Sequence, residues 1–168
     1  QAIPLAMGAG EETGGFIDLM VSSQTGSGKT AAFLLPVLNT LIQQRAAADA
    51  EAKAEFDRLC AEATAKGEPT PKRAKRKDPT NARNFKAAVP GALVLCPTRE
   101  LADQVAKEIR RLARAADNIK VLTLCGGVPF GPQIGSLEHG AHVVVGTPGR
   151  VMDHLERKSL NLDGLATL

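Results

Sequence analysis

The stretch Ser23-Gln24-Thr25-Gly26-Ser27-Gly28-Lys29-Thr30 decides the fold class of this chain. It matches the phosphate-loop pattern G-x-x-x-x-G-K-[ST] except at the first position, where Ser23 stands in place of glycine. The apolar run Phe16–Ser22 before it predicts a buried strand, and Lys29–Gln44 after it predicts a helix. A glycine-rich turn between a strand and a helix is the context in which this loop binds phosphate, which argues against a chance occurrence of Gly-Lys-Thr.

Each residue type in the loop has a physical role in holding the phosphates of a nucleotide. Gly26 and Gly28 let the backbone curl so that successive N–H groups point at the phosphates. The positive end of the following helix dipole faces the same place. We expect Lys29 to reach the β- and γ-phosphates and the Thr30 hydroxyl to ligate Mg²⁺, so the predicted nucleotide site is Ser23–Thr30. The loop by itself leaves the nucleotide and the reaction open.

The composition describes one ordinary domain that carries a basic segment. The chain has 168 residues, is 43% hydrophobic and 23% charged, and can therefore form a core. Its net charge is +3, but residues 68–86 hold seven basic residues against Glu68 and Asp78, a balance of +5, so the remainder sums to −2. There is no Trp or Tyr and only five Phe, so we expect nucleic acid to be held by its backbone and not by base stacking.

Cysteines and histidines give no sign of a metal site, and no segment is apolar enough for a membrane. Cys60, Cys96 and Cys125 lie far apart without a C-x-x-C pair, which argues against a zinc site or a disulfide framework and favours a reducing compartment. His139 and His142 lack further ligands nearby, so turn and strand-start roles are expected for them. No apolar run approaches the roughly 20 residues that cross a bilayer. We therefore expect a cytoplasmic protein without a membrane partner.

Strand and helix patterns alternate along the rest of the chain. Three further apolar runs rich in β-branched residues predict buried strands: Ala92–Cys96, Lys120–Cys125 and His142–Gly146. Between the first two, apolar residues recur at helical spacing: Leu101, Val105, Ile109 and Leu112. This amphipathic pattern predicts a helix with one side on a sheet. The alternation predicts an α/β fold with a mostly parallel sheet and helices on both faces, in which ligands gather at the carboxyl ends of the strands.

The connection between the first two predicted strands is too long for one crossover helix, so residues 45–88 are predicted to be an insertion. Arg45–Lys66 is rich in Ala, Glu and Lys and is expected to continue the helix outward until Gly67 ends it. Glu68–Val89 has no periodicity, several prolines and many positive charges, which predicts a disordered segment. Pro36 is expected to bend the helix before the insertion.

Three short motifs each follow a predicted strand: Pro97-Thr98-Arg99-Glu100-Leu101-Ala102, Gly126-Gly127 and Thr147-Pro148-Gly149-Arg150. With the phosphate loop, in this order and at these spacings, they resemble the DEAD-box ATP-dependent RNA helicases, specifically their first RecA-like domain, over residues 1–44 and 89–168. The stretch from Leu93 onward is similar in particular to bacterial members that act in ribosome assembly. The resemblance implies that residues 1–168 are part of a three-layer P-loop NTPase (RecA-like) domain with ATP and Mg²⁺ as cofactors.

The resemblance also implies that the three motifs bind single-stranded or locally duplex RNA along its sugar–phosphate backbone. The residues that would do so are Pro97, Thr98, Arg99, Gly126, Gly127, Thr147, Pro148, Gly149 and Arg150. Threonine hydroxyls and arginine forks can donate to phosphates, and two glycines allow a close approach. No group is arranged to read base edges, so binding should be sequence-tolerant. Taken singly, each motif has a structural alternative: Thr98 as a helix N-cap, Arg99 in a surface ion pair, Gly126-Gly127 as a simple turn.

The chain departs from the family pattern at its two ends. The acidic motif, which supplies the Mg²⁺-binding Asp and the catalytic Glu, would follow a strand that begins at Leu165, and the adenine-recognition glutamine would lie just before Gln1. The Ser-Ala-Thr motif and the second RecA-like domain, with its arginine finger, are also missing, so we expect a piece of a longer protein. We predict no catalytic residue within these 168 residues, and neither ATP hydrolysis nor duplex unwinding by the chain alone. The second RecA-like domain of the same protein is the expected partner.

Two other functions stay open at this point. A different P-loop enzyme is possible, but a GTPase would carry an N-K-x-D run and a transporter ATPase an L-S-G-G-Q run, and neither occurs. A non-catalytic RNA-binding or assembly module could act through the basic residues Lys72–Lys77, for which a solvated linker is the alternative interpretation.

Overall fold

The computed structural model describes residues 2–7, 18–24, 26–67, 69, 89–115 and 119–168. Its elements follow in chain order: α1 (Ala2–Ala6), α2 (Lys29–Ala65), β1 (Ala92–Leu95), α3 (Arg99–Leu112), a 3₁₀ turn (Ala113–Ala115), β2 (Val121–Leu124), α4 (Phe130–Glu138), β3 (Val143–Gly146) and α5 (Pro148–Glu156). A helix lies between each strand and the next. Since such crossovers return the chain to the same end of the sheet, they favour parallel pairing.

The three strands form a parallel sheet in the order β1-β3-β2. β3 lies in the middle, and its Val144 is opposite Leu93 of β1 and Leu122 of β2. All four residues of β3 are buried, which explains its run of valines: a central strand is covered on both faces and needs compact apolar side chains. The predictions of these three strands are confirmed, with ends that differ by at most one residue.

The helices lie on both faces of the sheet, and the buried side chains form two clusters. Successive strand residues point to opposite faces, so Val143 and Val145 pack on one side and Val144 on the other. The first cluster joins α2 and α3 to the sheet through Leu34, Leu38, Leu41, Val105 and Ile109. The second joins α4 and α5 to it through Leu137 and Val151. This order of helix layer, sheet and helix layer confirms the predicted α/β class.

The buried side of α3 differs slightly from the predicted stripe. Val105 and Ile109 are buried as expected, but Leu101 is 39% exposed, and Ala102 and Ala106 are fully buried instead. The alanines lie one turn apart on the side of α3 that meets the sheet. Because an alanine side chain is short, the helix lies close to the strands at these two positions, and the larger Leu101 is displaced toward solvent.

The strand predicted at Phe16–Ser22 is wrong over its described part. Residues 18–22 have no regular structure and are exposed, with Met20 fully so. Residues 18–22 pair with no described strand. The outer edge of β1 meets residues near Thr167 instead: Ala92 forms a parallel bridge with Thr167, and Leu93 N donates to Thr167 O at 2.9 Å. Of the strand expected to begin at Leu165, only this isolated bridge at Thr167 is present.

Helix α2 continues well beyond the core. It runs from Lys29 to Ala65, and Gly67 follows its cap with a φ of 68°. Its buried residues lie between Leu34 and Leu41, and beyond Gln44 its side chains are exposed or half-exposed. Pro36 lies inside the helix, and the bend expected there stays a prediction. Of the predicted disordered segment, residues 68 and 70–88 lie outside the described residues.

Within the ranges that the structure describes, no helix combines the length and the apolar composition that a bilayer crossing requires.

Candidate functional site

The predicted phosphate loop leads directly into α2. Gly26 has a φ of 81° and Gly28 a φ of 84°, and no described atom lies within 4 Å of a Cβ built on either. This left-handed backbone favours glycine whatever the space around it. Ser27 N donates to Gln24 O at 3.3 Å, and the hydroxyls of Ser23 and Ser27 are 2.6 Å apart. These hydrogen bonds within the loop stabilise its turn. Thr25 lies outside the described residues.

Lys29 is folded back onto this loop. Its ammonium group donates to Ser23 O, and to Gln24 O at 2.6 Å. A lysine ammonium is a compact cation with three donors, and here two carbonyl oxygens satisfy two of them. Phosphate oxygens would offer the same group full negative charges at the same mouth of the loop. The first backbone bond of α2 is Ala32 N to Gly28 O at 2.9 Å, so the preceding N–H groups have no acceptor within the helix.

The direction of α2 sets the position of the loop relative to the sheet. Gly91 precedes β1, and a Cβ on it would collide with Leu41 and lie 3.5 Å from Gln44 Oε1. The later part of the core-facing stretch of α2 therefore lies at the amino end of β1. Leu34 packs in the same core cluster two turns earlier. Lys29 consequently lies toward the carboxyl end of the sheet, since a helix rises about 1.5 Å per residue.

The three other motifs lie at the same end of the sheet, the carboxyl end of its strands. Pro97 follows β1, Gly126 follows β2 and Thr147 follows β3, and these strands are parallel neighbours. Two bonds keep the strand ends in register: Cys96 N donates to Gly146 O at 2.9 Å, and Thr147 N donates to Leu124 O at 3.0 Å. Parallel packing thus brings motifs together that are far apart in the chain.

Thr98 and Arg99 begin α3 at this edge. Thr98 is the N-cap, and its hydroxyl accepts from Leu101 N at 3.3 Å, so the structural alternative for this residue is realised. A hydroxyl that accepts one bond can still donate its own proton, and donation to a phosphate stays a prediction. Arg99 is exposed, and its Nη1 lies 3.5 Å from the place of a Cβ on Gly127. The first motif therefore lies beside the second.

The Gly126-Gly127 turn and the start of α5 present backbone to solvent. Gly127 has a φ of 78°, a conformation that requires glycine, whereas Gly126 has no such constraint and meets no described atom within 4 Å of a Cβ. Pro148 is the first residue of α5, where its missing N–H costs nothing. In the described part of the chain, no hydrogen bond from the Thr147 side chain caps α5. A Cβ on Gly149 also meets open space among the described atoms.

Arg150 has a different environment from the one expected for a phosphate ligand. Its side chain is 12% exposed, and Nη1 donates to Val128 O and to Gln133 Oε1, each at 2.7 Å. Its guanidinium carbon lies 4.2 Å from the centre of the Phe130 ring, and Nε lies 3.5 Å from a carboxylate oxygen of Asp153. The guanidinium is thus turned toward α4. Its direct contact with a phosphate stays a prediction.

A buried polar network around Arg150 was missed by the sequence reasoning. It consists of Gln133, His154 and Ser159, which are 7%, 0% and 4% exposed. His154 Nε2 lies 3.0 Å from Gln133 Oε1, and Nδ1 lies 2.8 Å from the Ser159 hydroxyl. A signal was present: Gln133 and Leu137 lie one turn apart on the buried side of α4, so a polar residue occupies an apolar register position.

Burial sets the charge states near the strand ends. Desolvation lowers the pKa of His154, and the nearby Arg150 and Arg157 cations lower it further against the opposing effect of Asp153. Desolvation also raises the pKa of the Cys96 and Cys125 thiols, which follow β1 and β2 directly. The raised pKa values favour the neutral form of both thiols.

His142 lies at the opposite end of the sheet in a structural role. Its Nδ1 accepts from Lys120 N at 2.9 Å, which joins the start of β3 to the start of β2. Burial is the largest cause of its lowered pKa, followed by the Arg45 and Lys120 cations. His139 is exposed, and its carbonyl accepts from Lys120 Nζ at 2.5 Å. Both histidines thus occupy the turn and strand-start positions expected from the sequence.

The chain matches a known family over its whole length and a characterised relative over about half. The model of the DEAD/DEAH box helicase family matches residues 1–168. ATP-dependent RNA helicase DbpA of Escherichia coli (strain K12) is 65% identical over 77 residues, which are 46% of this chain and 17% of DbpA.

Solved structures of similar fold come from archaea and yeast. The DEAD-box splicing factor Prp28 of yeast superposes with a TM-score of 0.54 at 28% identity over 85% of this chain. A hypothetical ATP-dependent RNA helicase from Sulfolobus tokodaii has a TM-score of 0.52 at 28% identity over 85% of the chain. A DEAD box protein from Methanococcus jannaschii has a TM-score of 0.51 at 33% identity over 86%.

These relatives are much longer than the chain, which spans 17% of DbpA and 25%, 28% and 27% of the three solved structures in the order given. The fold they share with it is the α/β arrangement described above, with a parallel sheet between helices. With a match of the family model to all 168 residues, the chain belongs to the DEAD/DEAH box helicase family.

Proposed function

We propose that this chain is the ATP- and RNA-binding first RecA-like part of an ATP-dependent RNA helicase, which as a whole protein couples ATP hydrolysis to the separation of RNA strands. One observation supports the proposal most directly: the glycine-rich loop before α2 and the three strand-end motifs lie at the carboxyl end of one parallel sheet. Ligands of α/β sheets bind outside the carboxyl ends of the strands. A nucleotide and an RNA strand would thus contact one rigid unit.

The loop residues fit a nucleoside triphosphate with Mg²⁺. Gly26 and Gly28 leave open space for an anion at the start of a 37-residue helix. Lys29 would exchange its two carbonyl partners for β- and γ-phosphate oxygens, and Thr30 would hold Mg²⁺ through its hydroxyl. Bound Mg²⁺ would neutralise charge on the phosphates. Family membership supports ATP over GTP, and it speaks against the alternative of a GTPase or a transporter ATPase.

The strand-end motifs fit an RNA backbone. Arg99 is exposed beside Gly127, where a phosphate could meet a guanidinium fork and a free backbone surface together. Thr98, Thr147, Gly126 and Gly149 would add contacts along the same rim, with Pro97 and Pro148 shaping it. Most of these groups can contact phosphate and sugar but not base edges, so the predicted binding is sequence-tolerant.

The remaining parts of the machinery belong to the proposal for the whole protein. The Mg²⁺-binding and catalytic carboxylates, and an arginine finger on a second RecA-like domain, would complete the reaction, because phosphoryl transfer depends on positioning and on neutralising developing charge. We also assign residues 45–88 to an insertion and a cytoplasmic location to the protein. The three free thiols, Cys60, Cys96 and Cys125, support a reducing compartment.

Ligand binding to the protein tests the proposal. We would measure the displacement of a fluorescent ATP analogue by ATP and by GTP, and the anisotropy of a labelled single-stranded RNA at several salt concentrations. We expect ATP to compete better than GTP, and RNA affinity to fall as salt rises, because backbone contacts release counterions. Preference for GTP, or RNA affinity that does not change with salt, would contradict the proposal.

A further inference from the structure

The two glycines after β2 are held at both ends of their turn. The carbonyl oxygen of Cys125, just before the turn, accepts from Gln133 Nε2 at 3.1 Å. The carbonyl oxygen of Val128, just after it, accepts from Arg150 Nη1 at 2.7 Å. Gln133 and Arg150 also bind each other, Nη1 to Oε1, at 2.7 Å. We call this arrangement the turn clamp: the side chains of Gln133 and Arg150 on the carbonyls of Cys125 and Val128.

The chemistry of the clamp permits one orientation of the Gln133 amide. A guanidinium group only donates hydrogen bonds, so the amide atom that faces Arg150 must be the oxygen. The amide nitrogen then faces the carbonyl of Cys125, as observed. The same Oε1 lies 3.0 Å from His154 Nε2, and it can accept there only if that nitrogen carries a proton. An amide is therefore required, because its donor and its acceptor are both used.

The proton arrangement continues through His154. With Nε2 protonated and the ring neutral, the Ser159 hydroxyl has two acceptors for its one proton: Nδ1 at 2.8 Å and the His154 carbonyl oxygen at 3.1 Å. The charged groups near the ring are Arg150, Asp153 and Arg157, and burial is the largest cause of its lowered pKa. His154 thus orients Gln133 Oε1, and Ser159 in turn orients the His154 ring. Within the clamp, both amide atoms of Gln133 and both carbonyl oxygens are hydrogen-bonded, which restrains the turn, whereas Arg150 Nε is buried without a hydrogen-bond partner in the described part of the chain.

We infer that Gln133 is a positioning residue for RNA binding: through the turn clamp it fixes the Gly126-Gly127 turn relative to the Thr147–Arg150 corner, so that their backbone groups meet neighbouring phosphates. The inference rests on the proposed function. Two adjacent glycines are among the most flexible residues of a chain, and a flexible contact loses affinity when it must be ordered on binding. Gln133 does not touch RNA in this assignment. It acts by ordering the turn beforehand.

The test compares Gln133→Glu with an unaltered protein. The carboxylate keeps the length of the side chain and its partners Arg150 and His154, but it cannot donate to Cys125 O, so the turn is released at one end only. We expect RNA affinity to fall about five- to tenfold, the effect of one buried hydrogen bond. ATP affinity should stay within about twofold, because the described residues of the phosphate loop form no hydrogen bond with the clamp. Glu138→Gln, the same exchange in reverse at the end of α4, is the matched control.

A spectroscopic signature separates this role from general destabilisation. In the unaltered protein, ¹⁵N chemical shifts should report a neutral His154 ring protonated at Nε2, and in Gln133→Glu the new carboxylate should convert it to imidazolium at neutral pH. Should Gln133→Glu not fold, Gln133→Asn is expected to lower RNA affinity to a similar extent without charging His154, because it keeps the amide but is one methylene too short to reach both partners.

Three results would overturn the inference. One is unchanged RNA affinity in a folded variant whose His154 signal has shifted. Another is an equal loss of RNA and ATP affinity, which would indicate a structural role for the whole domain. If the unaltered protein bound ATP but no RNA, the proposed function would fail and the inference with it.

Discussion

The guanidinium of Arg99 lies against Gly127, with Nη1 3.5 Å from the point where a Cβ on that glycine would stand. Arg99 begins α3 after β1, and Gly127 follows β2, the strand on the opposite edge of the sheet, at the same carboxyl end. The contact therefore joins two motifs that the chain keeps well apart. It also makes one cation and one turn of free backbone neighbours on the surface proposed for RNA.

Exchanging Gly127 for alanine should destabilise the fold. Its φ of 78° is costly for any residue with a Cβ, and the new methyl would meet Arg99. We expect Gly127→Ala to lower the free energy of unfolding by about 1–2 kcal/mol, measured by urea denaturation. Gly126→Ala is the matched control, since Gly126 has no positive φ and no described atom near its Cβ. Equal losses in both variants would contradict this account of the turn.

Exchanging Lys29 for alanine should weaken ATP binding. The ammonium lies at the mouth of the loop, and we expect it to contribute charge-assisted bonds to the phosphates. Losing them should raise the Kd for ATP by about 10- to 100-fold in a competition titration. Lys53→Ala removes the same charge from an exposed position later in α2 and should leave the Kd unchanged. Intact ATP affinity in Lys29→Ala would remove the loop from the nucleotide site.

Exchanging Arg99 for alanine should reduce the salt dependence of RNA binding. One lost phosphate contact lowers the log–log slope by about 0.7 for a single strand. The second contact predicted for Arg150 would have to use a nitrogen other than Nη1, because Nη1 donates to Val128 O and Gln133 Oε1. Arg111→Ala is a suitable control: Arg111 is exposed on the same helix and pairs with Glu108 at 3.1 Å. The slope should be measured from about 50 to 200 mM salt. An unaltered slope in Arg99→Ala would exclude Arg99 from the RNA surface.

Stability should fall as the solution is acidified. Folding lowers the pKa of His142 and of His154 below the ordinary value of 6.5, so below neutral pH the unfolded chain binds more protons than the folded one. The free energy of unfolding should therefore decrease as pH falls through about 6.5. His142→Asn should reduce this dependence, since the asparagine oxygen can accept from Lys120 N without titrating. His139→Asn, at an exposed position, is the control. Stability that rises on acidification over this range would contradict the assignment.

A polypeptide of residues 1–168 should not hydrolyse ATP in the presence of RNA. It contains the phosphate loop but no Asp-Glu-Ala-Asp run, and an arginine finger alone is worth about 10³–10⁵ in rate. The measurement is phosphate release with and without single-stranded RNA, with a full-length helicase of the family as the positive control. RNA-stimulated release from this polypeptide would show that the required groups lie within it.

Local patterns in the sequence predicted the elements of the sheet well. Strands rich in valine, the amphipathic α3 and the glycine-rich loop are each encoded within a few neighbouring residues, and three of four predicted strands formed. The failure at Phe16–Ser22 shows that an apolar, β-branched run is not sufficient for a strand. Such a run becomes a strand only when its backbone pairs with a neighbouring strand, which residues 18–22 do not do, and the outer edge of β1 meets Thr167 instead.

The sequence by itself determined which chemistry is present: a lysine and a hydroxyl after a glycine-rich turn, and motifs after successive strands, because motif spacing and periodicity are properties of short segments. Only the tertiary structure decided how these groups are presented. The order β1-β3-β2 brings Arg99 to Gly127, and the packing of α4 against α5 turns Arg150 inward onto Gln133. Such contacts join residues distant in the chain, and a polar side chain in a core takes the orientation that satisfies its hydrogen bonds, which no single segment specifies.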